Sequence, residues 1–210
     1  MSRAASSLIS LTLAVVTIGF TATASQILTL RELLVVFHGN ELFIGIILGN
    51  WLLLEAAGSC LARKSADRTN NPTGTFIALQ CLIGASPLAS VLGIRLFKWA
   101  LRIPVGELLG IEYVFPVSLF ALAPIGIADG AIFPYICRAL SDSLNREEAP
   151  ARAYLYQSLG AVLAGVACVV YLLQSLEPVP LAVLLLLLTL CCVGFLLRSG
   201  GSDRRAMRAV

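Results

Sequence analysis

Charge is scarce in this chain. Asp, Glu, Lys and Arg make up 13% of its 210 residues, against roughly 25% in ordinary soluble domains. It has one histidine, His38, and its six cysteines (Cys60, Cys81, Cys137, Cys168, Cys191 and Cys192) form no C-x-x-C or C-x-x-C-H spacing. No zinc site can be assembled from such spacings, and one histidine does not supply the paired axial ligands of a haem bundle. G-x-G-x-x-G, G-x-x-x-x-G-K-[ST] and G-x-S-x-G are all missing. No nucleotide-cradling loop or hydrolase elbow is therefore encoded, and no metal or cofactor is called for. A net charge of +3 gives no electrostatic footprint for nucleic acid.

Apolar sequence takes the place of charge. Hydrophobic residues make up 58% of the chain, and the mean hydropathy is +0.89. A soluble domain of this length buries its core without such a surplus, so the bias points to lipid as solvent. A spanning helix needs about 20 mostly apolar residues. Ala4–Leu30, Thr69–Ile94, Ala153–Leu176 and Pro178–Leu197 carry no charge, and Leu42–Ala62 carries only Glu55. Ile111–Cys137 carries Glu112 and Asp129, and holds Pro116, Pro124 and Pro134, which predict a kink. The alternation of barrel strands is missing. The sequence therefore predicts an all-α, polytopic integral membrane helical bundle with six spans, at about 8–30, 42–62, 74–95, 111–137, 154–176 and 179–197. A basic tail follows at 199–210. Ala22-Thr23-Ala24 resembles a signal-peptidase site, but the apolar run continues to Leu30, which favours an uncleaved first span.

Basic residues set the orientation. With the N-terminus inside, eleven Lys and Arg fall on the inner side and four on the outer side. Both termini are expected in the cytoplasm, with the chain in a bacterial inner membrane. The stretch 95–103 spaces Arg95, Lys98 and Arg102 along one helical face. It reads either as a short interfacial helix lying on the membrane or as an irregular loop.

Polar residues inside the spans are the candidate functional groups, because ionisable side chains at membrane depth are costly. Glu55 is the clearest, near the middle of the second span. It flanks a small-residue stripe formed by Gly45, Gly49, Leu52, Ala56 and Ser59, and so is expected to face another helix. Gly45-x-x-x-Gly49 would let a neighbouring backbone approach closely, and Gly160 is expected to do the same in the fifth span. Asn50 falls on a different face from Glu55. Thr12, Gly19, Thr23 and Gln26 form a seam on the first span, and Tyr154, Gln157, Ala161, Ala164, Cys168 and Tyr171 form one on the fifth. Such seams serve either helix packing or the lining of a central cavity. Glu55, Asn50, Gln26 and Gln157 are the candidate substrate-binding residues. Arg31, Glu32 and Glu41 are expected as a cluster at the outer surface, with Asn40 capping the second span. Asp129-Gly130 reads as a kink or turn near the end of the fourth span, and the leucine-rich sixth span reads as lipid-facing.

The run Ala24-Ser25-Gln26-Ile27-Leu28-Thr29-Leu30-Arg31-Glu32-Leu33-Leu34-Val35-Val36-Phe37-His38-Gly39-Asn40-Glu41-Leu42 resembles the first helix pair of the membrane-fused spermidine synthase-like proteins. Gly130-Ala131-Ile132-Phe133-Pro134 with Arg138, and Ala151–Ala161, fit the same picture. In that family a multi-helix membrane domain precedes a soluble aminopropyltransferase-like domain with a Gly-rich cofactor loop and polyamine-binding acidic residues. This sequence carries neither feature, so no catalytic residue is expected. The resemblance implies a stand-alone membrane domain that anchors or regulates a separately encoded aminopropyltransferase-type domain. Beyond the lipid bilayer and that domain, a second copy of the chain is the other partner to expect. Gly58 with Asp67-Arg68 is similar to a loop of major-facilitator transporters, although Asn70 and Asn71 replace the Gly and basic residues that should follow. That likeness implies the alternative, a small transporter-like bundle that binds a cationic solute such as a polyamine.

Overall fold

The computed structural model describes residues 3–37, 41–69, 71–100, 111–141 and 147–207. Six long helices account for nearly all of them. These are α1 (Arg3–Phe37), α2 (Glu41–Arg68), α3 (Pro72–Ala100), α4 (Ile111–Ser141), α5 (Ala149–Ala167) and α6 (Pro178–Met207). Beyond Ala167, α5 runs on through a π-helical turn, Cys168–Leu172, to a last turn at Leu173–Ser175. No strand occurs among the described residues. All six helices are long and apolar enough to cross a membrane, and the chain is an all-α integral membrane bundle.

Local chemistry explains several boundaries. Asn71 caps α3: its Oδ1 accepts the Gly74 backbone N–H at 3.0 Å, with Pro72 at the first helical position, where its missing N–H costs nothing. Pro150 sits at the second helical position of α5, where its missing N–H likewise costs nothing. Inside α3, Pro87 supplies no N–H for the Ile83 carbonyl, and the Ser86 hydroxyl donates to that carbonyl at 2.9 Å. Inside α4, Pro134 leaves the Gly130 carbonyl free, and Ser59 on α2 donates to it at 2.9 Å. Lipid offers no donors, so a transmembrane proline needs such a substitute. On α1, Thr17 and Thr21 turn their hydroxyls back onto the carbonyls of Leu13 and Thr17, at 2.8 and 2.9 Å.

Packing follows two tight pairs. α2 packs on α4 and α5 on α1; α3 packs against α4 and α1, and α6 completes the bundle against α1 and α3. At the end bearing the N-terminus, Val15, Ile18, Ile132, Ile136 and Ala153 share one core. At the opposite end Leu33, Phe37, Ile47, Trp51 and Ile125 share another. A third core seats α6 on α1, α3 and α5 through Leu28, Val91, Cys168 and Leu185. The helix with the most leucine is therefore not wholly lipid-facing. One of its faces is buried, and Thr189 on that face fills the space beside Gly84.

Glycines set the two tight pairs. A Cβ on Gly19 would overlap the Gln157 carbonyl, and one on Gly160 would overlap the Val16 carbonyl, so the backbones of α1 and α5 touch. Gly58 and Gly130 do the same for α2 and α4, meeting Ile127 and Glu55 backbone atoms. Gly160 thus packs as expected. Gly45 and Gly49 do not: nothing lies within 4 Å of a Cβ at either position. The reason is that α2 meets α4 through its opposite face, along Ile47, Trp51, Leu54 and Gly58. Asp129-Gly130 likewise lies inside α4 and is not a turn, because Gly130 is a contact point for α2.

The helices also run further than their charge-free cores. α1 continues through Arg31 and Glu32 to Phe37, because tertiary partners satisfy both charges. Arg31 Nη1 donates to the Leu173 carbonyl at 3.0 Å, one of the free carbonyls ending α5. Glu32 pairs with Arg95 at 3.5 Å. The stretch 95–100 continues α3 and starts no separate interfacial helix. α6 extends to Met207, into the segment expected as a tail. His38, Asn40 and positions 101–103 of the basic stretch lie outside the described residues.

Substitutions should separate the close-packed glycines from the open ones. Gly58→Val and Gly160→Val push a branched side chain into a neighbouring backbone and should each cost roughly 1–3 kcal/mol. Gly45→Val should leave the thermal midpoint in detergent unchanged. Midpoints read by fluorescence on the monodisperse protein check all three; an unstable Gly45→Val would mean that this stripe packs within the bundle after all.

Candidate functional site

A cavity of about 540 Å³ lies in the membrane interior of the bundle. That is within the roughly 300–1,000 Å³ of ordinary ligand pockets. α1 contributes Gly19, Thr23 and Gln26; α2 contributes Trp51, Glu55 and Ser59; α4 contributes Asp129 and Phe133; and α5 contributes Tyr154, Gln157 and Ala161. The cavity exists because helices pair tightly within α1–α5 and α2–α4, while α2 and α5 stand as facing walls. Leu52 and Tyr154 flank its mouth, 64% and 69% exposed. At the end distant from the N-terminus Trp51 belongs both to the cavity wall and to the packed core of Leu33, Phe37 and Ile47, which closes that side.

Two carboxyl groups dominate its chemistry. The Glu55 Oε1 accepts the Trp51 indole N–H at 2.6 Å, one helical turn earlier on the same helix. Asp129 lines the same cavity from α4, next to Gly130, which is seated on the Glu55 backbone. It is only 8% exposed, and its Oδ1 is enclosed without any donor. Among the described residues, no Lys, Arg or His lines the cavity. The basic residues with partners use them elsewhere: Arg31 on the Leu173 carbonyl, Arg95 on Glu32, Arg138 on the Asp67 carbonyl and Arg152 on Glu148. The amides of Gln26 and Gln157, the hydroxyls of Thr23 and Ser158, and the rings of Trp51, Phe133 and Tyr154 complete the lining. Two acids, neutral acceptors and aromatic faces suit an organic cation, which aromatic faces attract in desolvated settings. Among the described residues no group of three or more His, Cys, Asp or Glu could hold a metal ion.

Three of the four candidate substrate-binding residues meet here: Glu55, Gln26 and Gln157. Asn50 does not. It is buried between α2 and α4, where its Nδ2 donates to the Phe115 carbonyl at 2.9 Å and to Ser118 Oγ at 2.8 Å. The seams on α1 and α5 converge on the cavity through Gly19, Thr23, Gln26, Tyr154, Gln157 and Ala161, while Ala164 and Cys168 go to the packed core. Arg31 and Glu32 go to separate partners on α5 and α3 and form no cluster with Glu41. Asp129 is the residue that sequence reasoning did not choose. The available signal was that it is the other carboxyl at membrane depth, and its neighbouring glycine and prolines made it read as a turn.

Comparison with protein-family models, with curated proteins and with solved structures finds no match.

A small charged thiol reagent should reach the cavity lining but not the α2–α4 interface. Ala161→Cys is expected to react in the folded protein, and Ser118→Cys is expected to stay unmodified. Mass measurement of the labelled peptides, which also separates the six native cysteines, checks both. A protected Ala161→Cys would show that the cavity is closed to water.

Proposed function

We propose that this chain is a membrane-embedded binding domain for organic cations of the polyamine class, in a bacterial inner membrane with both termini cytoplasmic. The observation that carries the reading is a carboxyl pair facing an intramembrane cavity without a basic partner. A charge at this depth is expensive unless a counter-ion or a proton accompanies it, so the pair favours an ammonium ligand over an anionic or neutral one. Gln26 and Gln157 would accept from further N–H groups, and Trp51, Phe133 and Tyr154 would cover the methylene chain between them. The uneven distribution of Lys and Arg supports the orientation.

The resemblance to spermidine synthase-like proteins supports the same ligand class. Gln26 lies in the first resembling stretch, Gly130 and Phe133 in the second, and Tyr154, Gln157 and Ala161 in the third. On this reading the bundle holds polyamine in the membrane, and a separately encoded aminopropyltransferase-type domain is the partner that it anchors or regulates. Catalysis would reside in that partner.

The full chain in lipid nanodiscs should bind spermidine by calorimetry. Glu55→Gln and Asp129→Asn should each weaken binding at least about tenfold, the equivalent of about 1.4 kcal/mol. Glu32→Gln, whose partner is Arg95, should leave it unchanged. Tagged protein purified from its own membranes in mild detergent should bring down a soluble aminopropyltransferase-like chain in stoichiometric amount. Unaltered binding in both carboxyl variants would refute the cavity as the site; spermidine binding without a co-purifying chain would leave a solute-binding bundle and remove the anchor.

A further inference from the structure

Two carboxylates close together in a low-dielectric cavity repel, and a proton on one of them relieves the repulsion. Glu55 and Asp129 line one cavity, and Gly130, next to Asp129, is seated on the Glu55 backbone. Among the described residues the lining offers them neutral donors but no cation. α1 faces them with Thr23 and Gln26, and α5 with the phenol of Tyr154 and with Gln157 and Ser158. α2 adds the Trp51 indole, already donated to Glu55. α4 adds Phe133, and neither α3 nor α6 contributes a residue to the lining. The Oδ1 of Asp129 is enclosed by protein and has no donor. A proton on one of the two would leave the pair with a single negative charge.

Ligand charge then decides the fate of the proton. An ammonium monocation neutralises the monoprotonated pair, leaving no electrostatic reason for the proton to depart. A linear diammonium dication does not: with the proton retained the site would hold a net positive charge in low dielectric. With the proton expelled, two carboxylates balance two ammonium groups. We infer that the Glu55–Asp129 pair is a proton-exchange site selective for diammonium ligands, releasing one proton for each dication bound. The step balances: the O–H bond of the pair breaks, its electrons stay on the carboxylate oxygen, and the proton passes to the buffer. N–H···O contacts from the ligand replace it, and nothing is oxidised or reduced. This inference rests on the organic-cation reading of the cavity and adds its selectivity and its coupling to pH.

The test is calorimetry on the full chain in neutral-lipid nanodiscs, run in two buffers of different protonation enthalpy. 1,4-Diaminobutane and butylamine are the probes. One proton should appear per diamine bound and none per butylamine. Diamine affinity should fall about tenfold for each pH unit of acidification while one proton is exchanged. Glu55→Gln or Asp129→Asn, if monodisperse, should abolish proton release, and Glu41→Gln should preserve it. The wild-type measurement decides even if a variant fails to fold. Diamine binding without proton release, or equal release by butylamine, overturns the exchange and leaves the organic-cation site standing. Failure of both amines to bind overturns the cavity reading and the exchange with it.

Discussion

Backbone contact at four glycines is the constraint on which the rest depends. Gly19 and Gly160 bring α1 and α5 together, and Gly58 and Gly130 bring α2 and α4 together, each closely enough that a Cβ would collide with a carbonyl of the partner or overlap its backbone. Lipid tails are as apolar as leucine, so helices in a bilayer gain little from hiding apolar surface and associate through close packing and polar contacts. Tight packing within each pair leaves the space between pairs unfilled. The cavity is that space. Its position follows from where the glycines fall: Gly19 and Gly130 are themselves part of its wall. A side chain at either position would separate a helix pair and change the cavity at once.

Polar groups in the bundle obey a matching rule, and the exceptions are informative. Ser86 serves the carbonyl freed by Pro87, and Ser59 serves the one freed by Pro134. Asn50 and Ser118 serve carbonyls of α4, and Tyr135 donates to Ser65 at 2.9 Å to tie α4 to α2 near the end bearing the N-terminus. Against that background Asp129 stands apart. Thr29, Gln80 and Asn50 also hold unmatched buried atoms, but these are neutral and outside the cavity. An unmatched carboxyl is far more costly than an unmatched amide. Among the described residues, only Asp129 joins an unmatched atom, an ionisable group and an adjoining cavity.

The spans were legible because their signal is one-dimensional: a run without charge reads the same whatever packs around it. Helix ends were less so. Arg31 and Glu32 look like a terminus in sequence, and only the Leu173 carbonyl and Arg95, distant in the chain, turn them into helix interior. Glycine spacing was legible as a pattern but not as a choice. Gly45 and Gly49 have the repeat associated with close packing, yet the paired glycines come from four different helices at no fixed spacing. Glu55, Gln26 and Gln157 could be picked one helix at a time, because a polar residue in an apolar run is conspicuous alone. Their convergence, and the partnership of Glu55 with Asp129, depends on which helices pair, and no local pattern encodes that.

Sequence resemblance and geometry weigh the cavity walls differently. The three resembling stretches supply residues from α1, α4 and α5, and none from α2 beyond Leu42. α2 nevertheless contributes Trp51, Glu55 and Ser59, and so one of the two carboxyls, its only indole donor and the hydroxyl that stabilises the Gly130 carbonyl. The part of the site that fixes charge is therefore split between a resembling wall, α4, and one that the resemblance does not reach. A bundle could keep the shape of such a cavity through α1 and α5 while α2 and α4 together set how many carboxyls line it. Loss of the Glu55 carboxyl would leave a single acid suited to a monocation; loss of the Trp51 indole would leave both acids but free one of them to turn. The number of carboxyls in the cavity is therefore a property of α2 and α4 together.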